Sequence, residues 1–247
     1  MGAKEKKVNV LAVIQARMGS TRLPGKVLKT IAGKTMIERI FDRLKACNEV
    51  DTIALATSTN KENDALAEHA THIGLATYRG NENDLISRHG EALRKFKGDA
   101  LIRITADCPL VDPLIVDEMV KLFRKSPDFD LVTNIFPRSF PKGLDIEIIS
   151  SEAFAKLDKD VTDPYYRELL TYYIMEHPQT FRIMNFPYEK DLSLLRWTVD
   201  YQEDLEFVEK IYDTLLKEKP IFTMQDVLTL LEEHPELSKI NERWIGI

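Results

Sequence analysis

Hydrophobic and polar positions follow two patterns in the first half of the chain. Short uninterrupted apolar runs predict buried strands, and each is followed by apolar residues three and four positions apart, which predict one buried helix face. The predicted strands are 8–14, 52–57, 73–78 and 100–105, and the predicted helices are 36–46, 62–70, 84–96 and 113–123. This order predicts an α/β fold: a three-layer α/β/α sandwich with a mostly parallel sheet and a ligand site at the carboxyl ends of the strands.

The pattern changes after residue 130, where strands and helices no longer alternate regularly. We predict strands at 130–135, 144–149, 181–186 and 195–199, and helices at 151–157, 164–176, 205–216 and 224–233. No internal repeat or low-complexity linker is present, so residues 1–247 are interpreted as one domain. Its parts are a βαβ half (8–135), an inserted mixed lobe with antiparallel strands (136–190), and a short strand with the C-terminal helices (191–247).

Composition and charge argue against several classes of function. The 247 residues carry a net charge of −6, which argues against general electrostatic binding to nucleic acid or to an anionic membrane. Cys47 and Cys108 form no C-x-x-C pair and the histidines are scattered, so neither a zinc ribbon nor a histidine metal site is expected. Charged residues 4–7 precede an apolar run too short for a signal peptide, and no run approaches the roughly 20 residues of a membrane helix. We therefore expect a cytoplasmic protein.

The loop after the first predicted strand carries the strongest chemical signal. Residues 14–26 read I-Q-A-R-M-G-S-T-R-L-P-G-K, so Arg17, Arg22 and Lys26 lie in a segment punctuated by glycine and proline. Free backbone amides and three cations at the end of a strand suit a polyphosphate; a solvated basic loop is the alternative. A P-loop is excluded, because Leu28 stands where its first glycine is required.

Two aspartates that follow predicted strands are candidate metal ligands. Asp107 follows the fourth predicted strand, and Asp200 follows the strand at 195–199. A carboxylate in this position points into the ligand crevice, and Mg²⁺ takes one or two carboxylates together with phosphate oxygens. The alternative for each aspartate is a helix cap, although Asp112, directly before Pro113, is better placed to cap the helix after Asp107.

In three further segments, the polar residues have more than one possible role. Alternation along a strand places Asp145 and Glu147 on one face, where they either bind sugar hydroxyls or a metal ion, or face water. Residues 78–85 form a polar loop in which Asn83 is a candidate helix cap. Arg167 either holds a carboxylate in a bidentate pair or pairs with a neighbour on its own helix.

Three motifs give the chain a family resemblance. R-x-x-S-T-R-L-P-G-K in the first loop, T-A-D-C-P at Asp107 and R-W-T-V-D-Y-Q-E-D at Asp200 resemble the motifs of cytidylyltransferases that make CMP-linked 3-deoxy-manno-octulosonate and sialic acids. The nearer resemblance, over almost the whole chain, is to the branch of the spore-coat polysaccharide biosynthesis protein F. Members of that branch often carry a histidine where this chain has Leu169.

The resemblance implies a role for each candidate residue. It implies catalytic cations (Arg17, Lys26, Arg22), nucleotide-binding residues (Gln15, Ala16, Gly19, Ser20, Arg79, Asn83, Thr105), acceptor-binding residues (Asp145, Glu147, Arg167) and Mg²⁺ ligands (Asp107, Asp200). Arg88, one helical turn after Asn83, is a further candidate for nucleotide binding. Residues 8–135 would then bind the nucleotide, while 136–190 would bind the acceptor. The inserted segment is rich in aromatic residues, and the resemblance implies a homodimer with Tyr165, Tyr166 or Tyr173 at the interface.

On this resemblance we expect a magnesium-dependent enzyme that transfers CMP from CTP to a sugar acid of nonulosonic or octulosonic type. Pyrophosphate is the other product, and the pathway is surface polysaccharide biosynthesis. Two alternatives stay open: a nucleotidyltransferase for another nucleotide or acceptor, and a non-catalytic nucleotide-sugar-binding protein. A glycosyltransferase is weaker, because Asp128-Phe129-Asp130 lies in a polar turn before its strand.

Overall fold

The computed structural model describes residues 7–246. Residues 4–6, on which part of the signal-peptide argument rested, lie outside the described residues, as does residue 247. The strands are β1 (Val10–Gln15), β2 (Thr30–Ile31), β3 (Lys34–Thr35), β4 (Thr52–Ser58), β5 (Ala76–Gly80), β6 (Ala100–Thr105), β7 (Leu131–Thr133), β8 (Glu147–Ser150) and β9 (Ile183–Asn185). The helices are α1 (Met36–Lys45), α2 (Asp64–His72), α3 (Leu85–Lys95), α4 (Pro113–Lys125), α5 (Ser151–Asp160), α6 (Pro164–Glu168), α7 (Thr171–Glu176), α8 (Gln202–Leu215) and α9 (Met224–Glu233).

A seven-stranded sheet in the order β5-β4-β1-β6-β8-β7-β9 forms the centre of the molecule. Strands β5, β4, β1 and β6 are parallel, β8 is antiparallel to both β6 and β7, and β9 is parallel to β7. The prediction of several antiparallel strands was therefore wrong in number, since β8 alone runs against the rest of this sheet. The crossover through α4 explains the difference, because a helical crossover returns the chain in its original direction.

Strand β1 shows why the sheet needs a helical layer on each side. Val10, Ala12 and Ile14 belong to one buried cluster, while Leu11 and Val13 belong to another, as the two-residue repeat of a strand requires. The first cluster includes α1, α2, α4, α8 and α9, and the second includes α3, α5 and α7. The predicted three-layer α/β/α sandwich is confirmed. Within 7–246, no helix combines the length and apolar character that crossing a membrane requires.

Several predicted boundaries differ from the structure. The predicted helix 164–176 is divided into α6 and α7, because Leu170 is buried with φ of 31°, outside the helical region. The predicted strand 195–199 is an extended segment with a single β-bridge, from Arg196 to Lys142. The hairpin of β2 and β3 was not predicted, because two residues per strand are too few to show a repeat; its turn contains Gly33 with φ of 85°.

Candidate functional site

A cavity of about 660 Å³ opens at the carboxyl ends of β1 and β6. These strands are neighbours, with Gln15 opposite Thr105, so the loop after β1 and the turn after β6 lie side by side. Residues of α6 and α7 close a further wall. The cavity is lined by Gln15, Ala16, Arg17, Gly19, Ser20, Thr21, Arg22, Lys26, Val27, Glu82, Leu85, Arg88, Arg103, Thr105, Ala106, Asp107, Ile135, Glu147, Glu168, Leu169, Thr171, Tyr172, Met175 and Asp200.

The first loop is held in place by backbone hydrogen bonds and by one buried side chain. The backbone N–H of Met18 donates to Oδ1 of buried Asn63 (2.8 Å), and Ser20 N–H donates to the Met18 carbonyl (2.8 Å). Gly25 has φ of 65°, which allows the chain to turn into a 3₁₀ helix that begins at Lys26. The loop therefore presents its cations to the cavity from a fixed backbone.

Each cation of this loop contacts a carboxylate. Arg17 Nη1 lies 3.1 Å from Glu82, and Arg22 Nη2 lies 2.8 Å from Oδ1 of Asp200. Lys26 Nζ lies 2.9 Å from the same oxygen of Asp200 and 3.4 Å from Oδ2 of Asp107. The three predicted cations and the two predicted metal ligands are thus brought together in one cavity.

The segments that carry Asp107 and Asp200 are joined through their backbones. Val199 N–H donates to the Asp107 carbonyl (2.8 Å), and the Lys26 ammonium donates to the Val199 carbonyl (2.8 Å). Residues 195–199 therefore place Asp200 beside the end of β6 although they form no ladder with the sheet. Sequence spacing gives no indication of this contact, because more than 90 residues separate the two segments.

Neither aspartate is a helix cap. Asp112 caps α4 by accepting from Leu114 N–H (2.8 Å). At the start of α8, Asp204 accepts from the backbone N–H groups of Asp200 and Tyr201 (both 3.0 Å). The Asp107 carboxylate faces Lys26, and the Asp200 carboxylate faces Lys26, Arg22 and Arg196.

Electrostatics keep Asp107, which follows β6, ionised. Burial works to raise the pKa of Asp107, but the Lys26 ammonium and hydrogen bonds from Thr105 and Cys108 outweigh burial and leave that pKa below its usual value. The pKa of Asp204 is also lowered: burial opposes the shift, and the Arg196 guanidinium and surrounding donors cause it.

The two carboxylates around Lys26 fit a magnesium site of the type completed by a nucleotide. One ammonium contacts both Asp107 and Asp200, so both carboxylates face a common position for positive charge. In the part of the chain that the structure describes, no group of three or more His, Cys, Asp and Glu side chains could hold a metal ion. Mg²⁺ needs no such group, because it is commonly held by one or two carboxylates with phosphates and water.

The predicted acceptor residues are placed differently from one another. Glu147 is buried in the cavity wall and forms an ion pair with Arg103. Asp145 forms a bidentate pair with Arg138 (2.6 and 2.7 Å) and is not among the residues that line the cavity. Arg167 also lies outside the lining.

Arg167 connects three helices. Its guanidinium contacts Asp84 at the start of α3 (2.8 Å) and Asp158 of α5 (2.8 Å), while the residue itself belongs to α6. The sequence left two alternatives open for Arg167: a bidentate pair with a substrate carboxylate, or an ion pair within its own helix. The contacts to Asp84 and Asp158 are neither of these, because both aspartates belong to other segments of this chain.

The loop before α3 also differs from expectation. Arg79 contacts Asp64 (2.6 Å) and the Ser58 carbonyl (2.9 Å), and neither Arg79 nor Asn83 lines the cavity. The helix cap is Asp84, which accepts from Ser87 N–H (2.8 Å), and not Asn83 as predicted. The short Asp side chain sits directly before the first helical residue, where its oxygen reaches the N–H groups of the first turn.

Arg88, the candidate one helical turn after Asn83, does line the cavity. It is buried, donates to the carbonyls of Asn81 and Glu82 (2.8 and 2.9 Å), and has its pKa lowered to about 10 by burial. Three other charged residues of the cavity wall were not predicted: Glu82, Arg103 and Glu168. Arg103 could have been found from the sequence, because it is a charge in the middle of an apolar strand.

A C-terminal segment packs behind Asp200. The rings of Tyr201 and Trp244 are stacked, with centroids 3.6 Å apart and planes 3° apart, and the Arg22 guanidinium lies 5.4 Å from the Tyr201 ring centroid. Buried Asn241 donates to the Arg196 carbonyl (3.0 Å) and to Asp204 (2.9 Å). Chain-terminal residues therefore support the part of the site that holds Asp200.

Comparison with known proteins matches this geometry to one family. A family model described as cytidylyltransferase matches residues 11–239. The solved structure of a cytidylyltransferase from Leptospira borgpetersenii is 34% identical, with a TM-score of 0.89 over 93% of this chain and 96% of that one. The spore coat polysaccharide biosynthesis protein SpsF of Bacillus subtilis is 28% identical over 95% of this chain and 98% of its own length. A 3-deoxy-manno-octulosonate cytidylyltransferase of Maricaulis maris is 34% identical over 51% of this chain and 49% of its own.

Proposed function

The chain belongs to the cytidylyltransferase family, and from this premise we propose that it transfers CMP from CTP to a sugar acid for polysaccharide biosynthesis. Mg²⁺ is the proposed cofactor, and pyrophosphate is the second product. The observation that carries the proposal is the meeting of Arg17, Arg22 and Lys26 with Asp107 and Asp200 in one cavity. A protein that only binds a nucleotide sugar has no need of both sets.

The cations differ in freedom, and this suggests different tasks. The side chains of Arg17 and Arg22 are 48% and 49% exposed, so each can leave its carboxylate partner for a phosphate oxygen. The Lys26 side chain is 11% exposed and is held by three oxygens, so it acts as a fixed point charge.

The chemistry is substitution at the α-phosphorus of CTP. The oxygen of an acceptor hydroxyl forms a bond to this phosphorus and gives up its proton to water, while the bond to pyrophosphate breaks. Negative charge grows on the phosphoryl and leaving oxygens. Lys26 stabilises that charge from a fixed position, and Arg17 and Arg22 stabilise it once they have moved from their carboxylate partners to the phosphates. Asp107 and Asp200 would hold Mg²⁺, which supplies further positive charge beside the phosphates.

The acceptor is placed on the side of the cavity formed by β8, α6 and α7. Glu147 and Arg103 supply charged groups there, while Leu169, Tyr172 and Met175 supply apolar surface. Tyr165, Leu169 and Tyr172 are 58%, 38% and 44% exposed, and they give the proposed homodimer an apolar surface, mostly aromatic, next to the acceptor. We further propose a cytoplasmic location, which suits the free thiols Cys47 and Cys108.

The test is pyrophosphate release by the purified chain. CTP, UTP, GTP and ATP are each supplied with Mg²⁺ and with 3-deoxy-manno-octulosonate or N-acetylneuraminate. We expect release with CTP and a sugar acid only, and none after chelation of the metal or without acceptor. A preference for another nucleotide supports a different nucleotidyltransferase. Failure of Mg²⁺–CTP to bind at all contradicts the proposal.

A further inference from the structure

Arg103 is a charged residue at the centre of the sheet. It pairs with Val13 of β1 on one side and with Glu147 of β8 on the other. Side chains two residues apart share one face of a strand, so Arg103 and Thr105 lie on the same face of β6, and Asp107 follows in the turn after it. All three residues line the cavity, so the strand that leads to a proposed metal ligand also contributes a guanidinium.

Two protein groups fix the orientation of this guanidinium. Nε donates to Oε1 of Gln15 (2.9 Å), and Nη1 donates to Oε2 of Glu147. The remaining nitrogen, Nη2, has no hydrogen-bond partner among residues 7–246. Because the guanidinium is already held, its Nη2 can donate to a ligand with little further loss of side-chain conformational entropy.

The partner carboxylate is also incompletely satisfied. The Glu147 side chain is 2% exposed, and its Oε1 is buried without a hydrogen-bond partner among the described residues. A buried carboxylate oxygen that lacks a donor is costly, and a buried ion pair alone is weak evidence for a stabilising role. The pair is therefore better explained as part of a ligand site than as a link between β6 and β8.

We propose that Arg103 binds the carboxylate of the acceptor and that Glu147 accepts a hydrogen bond from a neighbouring acceptor hydroxyl. This inference rests on the proposed function, and it names the feature that the site selects: an acid group beside a hydroxyl. Arginine–carboxylate pairs are charge-assisted and directional, so an acceptor without the acid group loses both properties.

The experiment measures sugar binding to the chain loaded with Mg²⁺ and a non-hydrolysable CTP analogue. 3-Deoxy-manno-octulosonate, N-acetylneuraminate and the C1 amide of each are titrated into the wild type and Arg103→Lys. We expect the wild type to bind an acid at least about tenfold more tightly than its amide, because hydrogen bonds to charged groups are worth this much. In Arg103→Lys the preference should fall to less than about threefold, with unchanged affinity for the analogue.

Arg124→Lys is the matched control, since Arg124 is similarly buried, pairs with Glu49 and Asp51, and does not line the cavity. If Arg103→Lys does not fold, Arg103→Met combined with Glu147→Leu removes both charges and tests the same preference. The inference is overturned if the Arg103 variants still prefer the acid to its amide as strongly as the wild type does. It is also overturned if they lose only affinity for the CTP analogue, or if no sugar acid binds to the wild type. If the wild type does not bind the analogue, the proposed function itself has failed.

Discussion

At the scale of single residues, Lys26 is the centre of the site. Its ammonium contacts Asp107, Asp200 and the Val199 carbonyl, so it links the first loop to both acidic segments. The sequence indicated a cation at this position, but not that it would lie between the two aspartates. That arrangement depends on contacts between residues more than 170 positions apart, and local patterns do not report such contacts.

Replacement of Lys26 tests the phosphate-binding assignment. We expect Lys26→Ala to lower kcat by roughly a hundredfold or more, because a fixed charge beside developing oxyanions is lost. Steady-state kinetics of pyrophosphate release measure the effect. Lys34→Ala is the control, since Lys34 pairs with Asp42 away from the cavity. Near-normal turnover in Lys26→Ala would remove the loop from the mechanism.

Replacement of Asp107 tests the metal assignment. Asp107→Asn keeps the shape and removes the charge, so the Mg²⁺ concentration that gives half-maximal activity should rise at least about tenfold while kcat falls. The measurement is a magnesium titration of activity. Asp42→Asn, at a similarly exposed carboxylate that faces Lys34 and Lys45, should leave the titration unchanged. The same magnesium dependence in both variants would contradict the assignment.

At the scale of elements, the length of a helix or strand determined whether its sequence pattern could predict it. Long periodic helices such as α1 and α4 and buried strands such as β1 and β6 were predicted, because each repeats its pattern several times. The β2–β3 hairpin and the division between α6 and α7 were not. Two-residue strands contain no period, and the conformation of Leu170 is imposed by tertiary packing.

Helix α3 contains a histidine that makes stability depend on pH. His89 is fully buried; burial, with Arg88 and Arg103 nearby, lowers its pKa to about 3. Below pH about 6.5, His89 binds a proton in the unfolded chain but stays neutral in the folded chain. The free energy of unfolding therefore falls as the pH drops from 6.5 towards 3. Above pH 6.5 His89 has no effect of this kind.

Replacement of His89 should therefore flatten this dependence. Between pH 7.5 and 5.0, urea unfolding should show His89→Gln losing less stability than the wild type, by up to about 2 kcal/mol. His72→Gln, at an exposed position of α2, serves as the control and should behave like the wild type. Equal losses in His89→Gln and the wild type would show that another group causes the acid sensitivity.

At the scale of the whole molecule, the exposed aromatic surface of α6 and α7 predicts a homodimer. Sedimentation should give about twice the chain mass of 28.4 kDa at micromolar concentration. Tyr165→Asp, at a ring that is 58% exposed, should shift the protein towards monomer without unfolding it. A fully active wild-type monomer would overturn the prediction.

The stack of Tyr201 and Trp244 makes this protein suited to optical measurement. The chain has two tryptophans, of which Trp197 is buried and Trp244 lies on the ring that faces Arg22. When Arg22 exchanges Asp200 for a phosphate, the charge over that stack moves, and the emission of Trp244 should change. In a Trp197→Phe variant, intrinsic fluorescence would then follow nucleotide binding in real time, without a label and before any acceptor has been found.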